Sequence, residues 1–540
     1  MADLATAVEP LHSGKSILDR KSGMASSRTG IAVFLLALSS GICYIAYHVA
    51  RDLDTVTITS IWPYLLLALA LLIVLGFEFV NGFHDTATAV ATVIYTHSLE
   101  PDIAVVWSGI CNLAGVLVSS GTVAFAVVTL LPVELILQVS SGAGFSMVFA
   151  LLIAAILWNL GTWWFGLPAS SSHTLVGSIL GVGIANQLMH VHANTSGVDW
   201  EQAIKVLEVL LISPFVGFFC AGILLFLCKR LINCPTLHEA PKKDEPPPWP
   251  IRLLMVLTCT GVSFFHGSND GQKGMGLIML ILIGTVPTAY ALNHAATVSD
   301  MKEFMVASEQ AASILNRHSD PAIGLTADPR NEVTNYVRTG QLKPATIPAL
   351  RDMVQDVNYE VTLYKSFKAI PANQQTNVRN DLYVTSEAFR LMARTHNPSF
   401  APDEVKILRN YKSKVDKSTR FIPIWVKVAV ALALGLGTMV GWKRIVITVG
   451  EKIGKEQMTY AEGAAAGIVA MGTIFAADTF GLPVSTTHVL SSGVAGTMAA
   501  NGSGLRLSTV RNIAAGWVLT LPVAALLSGA LYWLFRSIHY

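Results

Sequence analysis

Two polar phrases occur twice in an otherwise apolar chain, and this duplication limits the possible folds more than any other feature. Gly166-Leu167-Pro168-Ala169-Ser170-Ser171-Ser172-His173 returns as Gly481-Leu482-Pro483-Val484-Ser485-Thr486-Thr487-His488, with Leu175/Leu490 and Gly181/Gly496 extending the match. Gly82-Phe83-His84-Asp85 is accompanied by Gly267-Ser268-Asn269-Asp270. Each copy puts Gly, Pro, His or Asp where lipid penalises broken backbone and charge. Duplicated polar breaks of this kind mark a secondary transporter with its site at a repeat interface.

The spacings agree with a duplication. The aspartates lie 185 residues apart and the prolines 315, so the second half must hold 130 extra residues between its motifs. A polar stretch, 293–422, has that length and carries 31 of the 72 charged residues of the chain. Its apolar residues recur at helical spacing over Ile347–Phe367 and Arg379–His396, which predicts a small helical domain.

With 52% hydrophobic and 13% charged residues, the 540-residue chain reads as an integral membrane protein of the all-α class. A net charge of +2 gives no reason to expect nucleic acid. Six cysteines without a CxxC pair read as small apolar residues. The mixed polar start does not resemble a signal peptide, so 31–50 is expected to be an uncleaved span.

About 11 spans are expected, at 31–50, 62–82, 84–98, 103–131, 146–165, 206–228, 251–270, 272–292, 422–442, 461–479 and 511–535. Segments 84–98 and 272–292 are taken as return legs after breaks at the aspartates, and 166–185 and 481–500 as re-entrant hairpins. The resulting units are an N-terminal segment with an extra span (1–60), a first repeat (61–232), a Pro-rich linker (233–250), the second repeat (251–292 and 423–540) and its insert (293–422). Lys15, Arg20, Lys21 and Arg28, with Lys229, Arg230, Lys242 and Lys243, place the N-terminus and linker in the cytoplasm. Span counting then makes the repeats inverted, the insert cytoplasmic and the C-terminus external. Lys443, Arg444, Lys452 and Lys455 resist this count by falling outside.

In the Gly-Leu-Pro phrases, proline suits helix entry, and Ser170, Ser171, Ser172 and Ser485, Thr486, Thr487 fall in the first turn beside free N–H groups. Such a terminus offers hydroxyl and amide donors to an oxyanion, although ordinary capping would use the same residues. Asp85 and Asp270 are membrane-embedded carboxylates, suited to a proton, Na⁺ or a divalent metal, or else to capping. Glu78 shares the face of Asp85, as a relay or as a structural group. His84, His173, His266 and His488 flank the motifs without a ligand spacing. Ser, His and Asp in a membrane raise an intramembrane hydrolase as an alternative, but both halves carry the whole set and there is no Gly-x-Ser-x-Gly elbow.

Together these residues resemble the PiT family of inorganic phosphate transporters. Asn81–Thr92 and His266–Gly276 are similar to the bacterial low-affinity, proton-coupled branch, and the resemblance runs from about residue 61 to the C-terminus. It implies a symporter of the bacterial inner membrane, not an enzyme, with phosphate held at the midplane by both Ser/Thr clusters and cations at the aspartates. No permanently bound cofactor is implied; the co-transported species would be H⁺ and Mg²⁺ or another divalent metal, carried as a metal–phosphate complex. A homo-oligomer stays open. Position by position, the family's Asn-Asp falls on His84-Asp85 and on Asn269-Asp270, and its later Asn on Thr88 and Lys273. An ammonium at Lys273 favours protons over a sodium-coupled phosphate or sulfate carrier, the alternative reading.

Overall fold

The computed structural model describes residues 28–53, 61–131, 142–189, 198–242 and 245–538, with Leu18 and Ile136. Lys15, Arg20, Lys21 and Lys243 lie outside them. Among the described residues the chain is helical, and its one bridge of β type joins Gly454 to Leu505. In chain order the helices before the insert are α1 (Arg28–Leu53), α2 (Trp62–Asp85), α3 (Ala87–Tyr95), α4 (Pro101–Val118), α5 (Thr122–Val128), α6 (Gly142–Trp164), α7 (Ser171–Met189), α8 (Trp200–Leu231) and α9 (Trp249–Thr285). The insert holds α10 (Val298–Arg317), α11 (Pro329–Thr339), α12 (Thr346–Tyr364), α13 (Ala372–Thr395) and α14 (Pro402–Thr419). The chain closes with α15 (Ile424–Thr438), α16 (Lys443–Ile447), α17 (Tyr460–Thr479), α18 (Thr486–Asn501) and α19 (Leu507–Ile538). Proline in the first turn, where its missing N–H is not needed, starts α2, α4 and α9.

Two expected breaks are not there. Helix α9 runs 37 residues through Asp270 without interruption, so 272–292 is no return leg. Helices α2 and α3 are separated by Thr86, itself in helical conformation, and together form one 34-residue apolar segment, so 84–98 continues the same crossing. The reason in both cases is satisfied backbone: with Gly or Asp in a helix, the i→i−4 ladder survives unless a residue forces it open. Accordingly, eight helices among the described residues are long and apolar enough to span, or nine with α15 after its 72° bend from α14, in place of about 11. The expected span at 103–131 also ends early, because Gly121 adopts a left-handed φ of +87° between α4 and α5.

An unbroken α9 carries a further correction. At about 1.5 Å per residue it is ~55 Å long, with the 233–250 linker at its start and the insert beyond its end. Linker and insert therefore lie at opposite ends of α9, instead of at one end as two antiparallel legs would put them.

The halves pack by exchange. Helix α7 of the first half lies on α19 of the second, and α18 of the second on α8 of the first. Helix α4 packs on α9, and α15 on α2. At equivalent crossings the backbones touch: a Cβ on Gly181 would stand 2.0 Å from the Ala525 oxygen, and one on Gly496 2.0 Å from the Phe218 oxygen. Small residues at crossings are how membrane helices gain dispersion contact where no hydrophobic drive exists. Helix α1 packs against α15 and otherwise exposes its apolar surface.

In the insert, α12 matches the first periodic stretch to within three residues, whereas α13 starts seven residues before the second and ends one residue short of it. Thr297 and Asp300 close α10 with a reciprocal capping box. The domain is tied to the start of α8 by ion pairs from Arg390 to Asp199 (2.8 Å) and from Arg394 to Glu201 (2.6 Å). At the other end of the molecule, the Lys455 amide donates to the Gly504 carbonyl (3.0 Å), and Lys229 bonds Asn501.

Candidate functional site

Both Gly-Leu-Pro phrases turn the chain in the same way. Gly166 and Gly481 each adopt φ +66°, a conformation that only glycine takes at little cost. The next amide, of Leu167 or Leu482, donates back to Thr162 or Ala477 at 2.9 Å in both copies. Proline then points the chain into α7 or α18. Ser170 and Ser485 accept the amides of His173 and His488, each at 3.2 Å, so both hydroxyls cap their helices.

The two turns meet. Ser172 Oγ donates to the Val484 carbonyl at 2.8 Å. Asn269 binds the second turn on both sides: its Nδ2 donates to the Leu482 carbonyl (3.1 Å) and its Oδ1 accepts the Val484 amide (3.4 Å). Asp85 joins the first half to both turns. Its Oδ2 accepts the Ser171 amide (3.3 Å), and its Oδ1 accepts the Thr487 hydroxyl (2.8 Å). The His84 ring holds the same carboxylate at 3.1 Å and reaches Thr162 Oγ1 at 3.0 Å with its other nitrogen.

Asp270 is in a different situation. Lys273 Nζ stands 2.7 Å from its Oδ2 and 2.5 Å from Ser172 Oγ, so one ammonium touches both a carboxylate and a hydroxyl cluster. Neither oxygen of Asp270 accepts a well-aligned hydrogen bond. All these residues are buried. A buried carboxylate is costly without compensation. For Asp85 the compensation is a set of hydrogen-bond donors on both turns and the His84 ring; for Asp270 it is one flexible cation.

The predicted residues thus divide. Ser170, Ser171, Ser172, Ser485, Thr486, Thr487, Asp85, Asn269, Asp270, His84 and Lys273 are all buried, and the contacts just given gather Ser171, Ser172, Thr487, Asp85, Asn269, Asp270, His84 and Lys273 around the two turns. Thr88 turns away, its hydroxyl bonded to the Asp85 carbonyl oxygen at 2.8 Å. Thr486 Oγ1 is buried without a hydrogen-bond partner. Behind the first turn, Asn159 Nδ2 donates to Ser171 Oγ (3.1 Å) while its Oδ1 accepts from Thr174 (2.9 Å). The His173 and His488 rings meet at a tilt of 39° with 4.5 Å between centroids, and Trp517 lies against His488 at 4.2 Å.

Asn159 and Asn112 went unnoticed in the sequence. Asn112 bonds the His266 ring at 2.8 Å and links it to Thr86 and Thr438. The signal was available, since an asparagine inside an apolar span seeks a partner on another helix.

Residues 81–528 match a family profile described as "Phosphate transporter family". The chain is 43% identical over 491 residues to the low-affinity inorganic phosphate transporter PitA of Escherichia coli K12, covering 87% of this chain and 96% of that one. To PitB of the same organism it is 40% identical over 499 residues, covering 88% and 97%. A solved structure titled "The sodium-dependent phosphate transporter" aligns at a TM-score of 0.47 and 19% identity, over 88% of this chain and 99% of that one.

Proposed function

The chain belongs to the phosphate transporter family, and from that premise we propose that it is a secondary symporter importing inorganic phosphate across a bacterial inner membrane. Its architecture on this reading is an inverted repeat with two re-entrant hairpins, α6–α7 and α17–α18. The carrying observation is the Asp85 carboxylate, which accepts from Ser171 of one hairpin and Thr487 of the other. A charge-bearing residue therefore senses the spacing of both halves of the anion cradle. Ser170–Ser172 and Ser485–Thr487 bind phosphate through hydroxyls and amides; Asp85 and Asp270 hold the co-transported positive charge.

Helix ends support the inversion. The start of α8, directly after the first hairpin, pairs with the insert, whereas the end of α18 bonds Lys229 beside the linker. The first hairpin then opens toward the insert and the second toward the linker. Lys455 bonds Gly504 at the linker end, which moves Lys452 and Lys455 to the side of the basic N-terminus and linker. Under the positive-inside rule that side is cytoplasmic, and the insert and C-terminus are external.

Proton coupling draws support from Lys273, whose ammonium stands against Asp270 where a Na⁺ ion would need oxygen ligands. Pairing phosphate with Mg²⁺ or another divalent metal fits two carboxylates beside an anion cradle. The test is radiolabelled phosphate uptake into proteoliposomes with pH, Na⁺ and Mg²⁺ varied separately. Uptake driven by a pH gradient and raised by divalent metal is expected; uptake that follows Na⁺ and ignores pH would refute proton coupling.

A further inference from the structure

We propose that His266, Asp85 and Asp270 form a divalent-cation site spanning the two halves, in which the His266 imidazole nitrogen is a ligand. The inference deepens the metal–phosphate reading above and rests on it for the site's role in transport. One ligand atom from each of the three residues lies within 4.8 Å of the others, and all three side chains are buried. Three donors spread evenly around one ion at ~2.2 Å stand about 3.8 Å apart, so closure needs a movement of up to about 1 Å.

The hydrogen-bond network decides what His266 offers. Asn112 Nδ2 lies 3.2 Å from Thr86 Oγ1 and 3.2 Å from Thr438 Oγ1, which orients the amide and leaves its Oδ1 as a pure acceptor. His266 Nδ1 stands 2.8 Å from that oxygen and 3.3 Å from Thr86 Oγ1, and the tautomer that pairs with the amide oxygen carries its proton on Nδ1. In the neutral ring, Nε2 then presents a bare lone pair. It has no hydrogen-bond partner, and 3.6 Å away lies Asp270 Oδ2, itself without a well-aligned donor. Two buried lone-pair donors aimed at one another repel unless a cation lies between them. A histidine whose far nitrogen is fixed by an amide oxygen is the usual support of a metal ligand.

Lys273 completes the arrangement. Its ammonium neutralises Asp270 and competes with an incoming ion for the same oxygen. Its contact with Ser172 Oγ gives it an alternative place in the anion cradle. Arrival of phosphate there draws the ammonium from Asp270 and opens the cation site, so anion and metal enter together. One nitrogen with carboxylate oxygens suits Mn²⁺, Co²⁺ or Zn²⁺ better than Mg²⁺, which prefers oxygen and water.

The test uses the full chain in lipid nanodiscs with Mn²⁺ as the probe, read by electron paramagnetic resonance for affinity and for nitrogen coupling. With inorganic phosphate present, wild type should bind one Mn²⁺ with nitrogen coupling. His266→Gln should lose that coupling and weaken binding roughly tenfold or more, and Asn112→Leu should weaken binding within the 10–100-fold range of a lost outer-shell partner. Lys273→Met should tighten Mn²⁺ binding several-fold, a gain that misfolding cannot mimic. Mn²⁺ bound without nitrogen coupling, or no change in affinity in Lys273→Met, overturns the proposal. Phosphate binding, measured in parallel on the same preparations, separates failure of this site from failure of phosphate transport itself.

Discussion

Alanine at Gly181 or Gly496 should force apart the crossings through which the halves exchange helices. In either variant the new Cβ would lie 2.0 Å from a backbone oxygen, of Ala525 or Phe218. Real Cβ contacts are essentially never under 3.0 Å, so each crossing must open by at least about 1 Å. A gap of 0.5–1 Å forfeits a quarter to a half of each dispersion well, and over dozens of atom pairs at ~0.1–0.2 kcal/mol this reaches about 1–3 kcal/mol. Helix propensity returns ~0.5–1 kcal/mol on replacing glycine, leaving a net loss of up to ~2.5 kcal/mol. Gly161 and Gly472 are the controls: each is helical, and a Cβ on either meets nothing within 4 Å, so alanine there should be neutral or mildly stabilising. The assay is heat-induced loss of the monodisperse peak of detergent-purified protein. Because such unfolding is often irreversible, the ranking of the four variants under one protocol is the readout. If Gly181→Ala and Gly496→Ala melt with the controls, the exchanged packing is not what holds the halves together.

Asp85→Asn and Asp270→Asn should each abolish accumulation of phosphate against its gradient while sparing phosphate exchange; net accumulation by either variant would leave that aspartate without a coupling role. Ser485→Ala should lose about 1 kcal/mol of helix capping and weaken phosphate binding, measured by equilibrium dialysis; unchanged affinity in the double variant with Ser170→Ala removes both hydroxyls from the site. Outside the spans, burial raises the Asp199 carboxyl, but Arg390, with the Gln202 amide and Arg394, outweighs it and holds the group below its usual value. The pair's contribution is therefore complete above the unfolded Asp value of about 4 and is lost as pH falls through the lower, folded one. With Asp199 and Arg390 22% and 30% exposed, Asp199→Asn should cost ~1–2 kcal/mol, seen as faster hydrogen exchange in α13 at neutral pH; equal rates would show that the insert docks without this pair.

The Gly-Leu-Pro turns were legible because they need a residue type that nothing else replaces. A left-handed glycine followed by proline cannot continue a helix, and both copies show the same φ. The aspartate phrases misled for a related reason. Glycine signals either broken backbone or close approach, and the letter is the same. In α9, Gly267 would place a Cβ 2.1 Å from the Asn112 oxygen, and Gly274 one 2.3 Å from Glu78 Oε1. These glycines admit neighbouring helices and leave the ladder whole. Taken as breaks, they would add two return legs and bring the chain back to the linker's end before the insert. Among site residues, those inside the repeated phrases could be named from sequence. Asn112 lies 154 residues from His266, and only the packing of α4 on α9 joins them.

Equivalence in sequence is not equivalence in chemistry here. Asp85 and Asp270 hold matching places in the two halves, yet their surroundings assign them different work on the proposed reading. Asp85 accepts from Ser171, Thr487 and the adjoining His84, partners on three segments that must all stay in place for the charge to remain solvated. Removing any one leaves a buried carboxylate short of a donor, so Asp85 resists separation of the hairpins. Asp270 relies on one side chain with four rotatable bonds, which already reaches toward the anion cradle. Its compensation can leave without moving a helix. The exchange of one cation for another therefore belongs to Asp270, while Asp85 ties the cation it helps to hold to the closing of the cradle. The duplicated scaffold supplies two similar carboxylates, and the departures at positions 84 and 273 divide their roles.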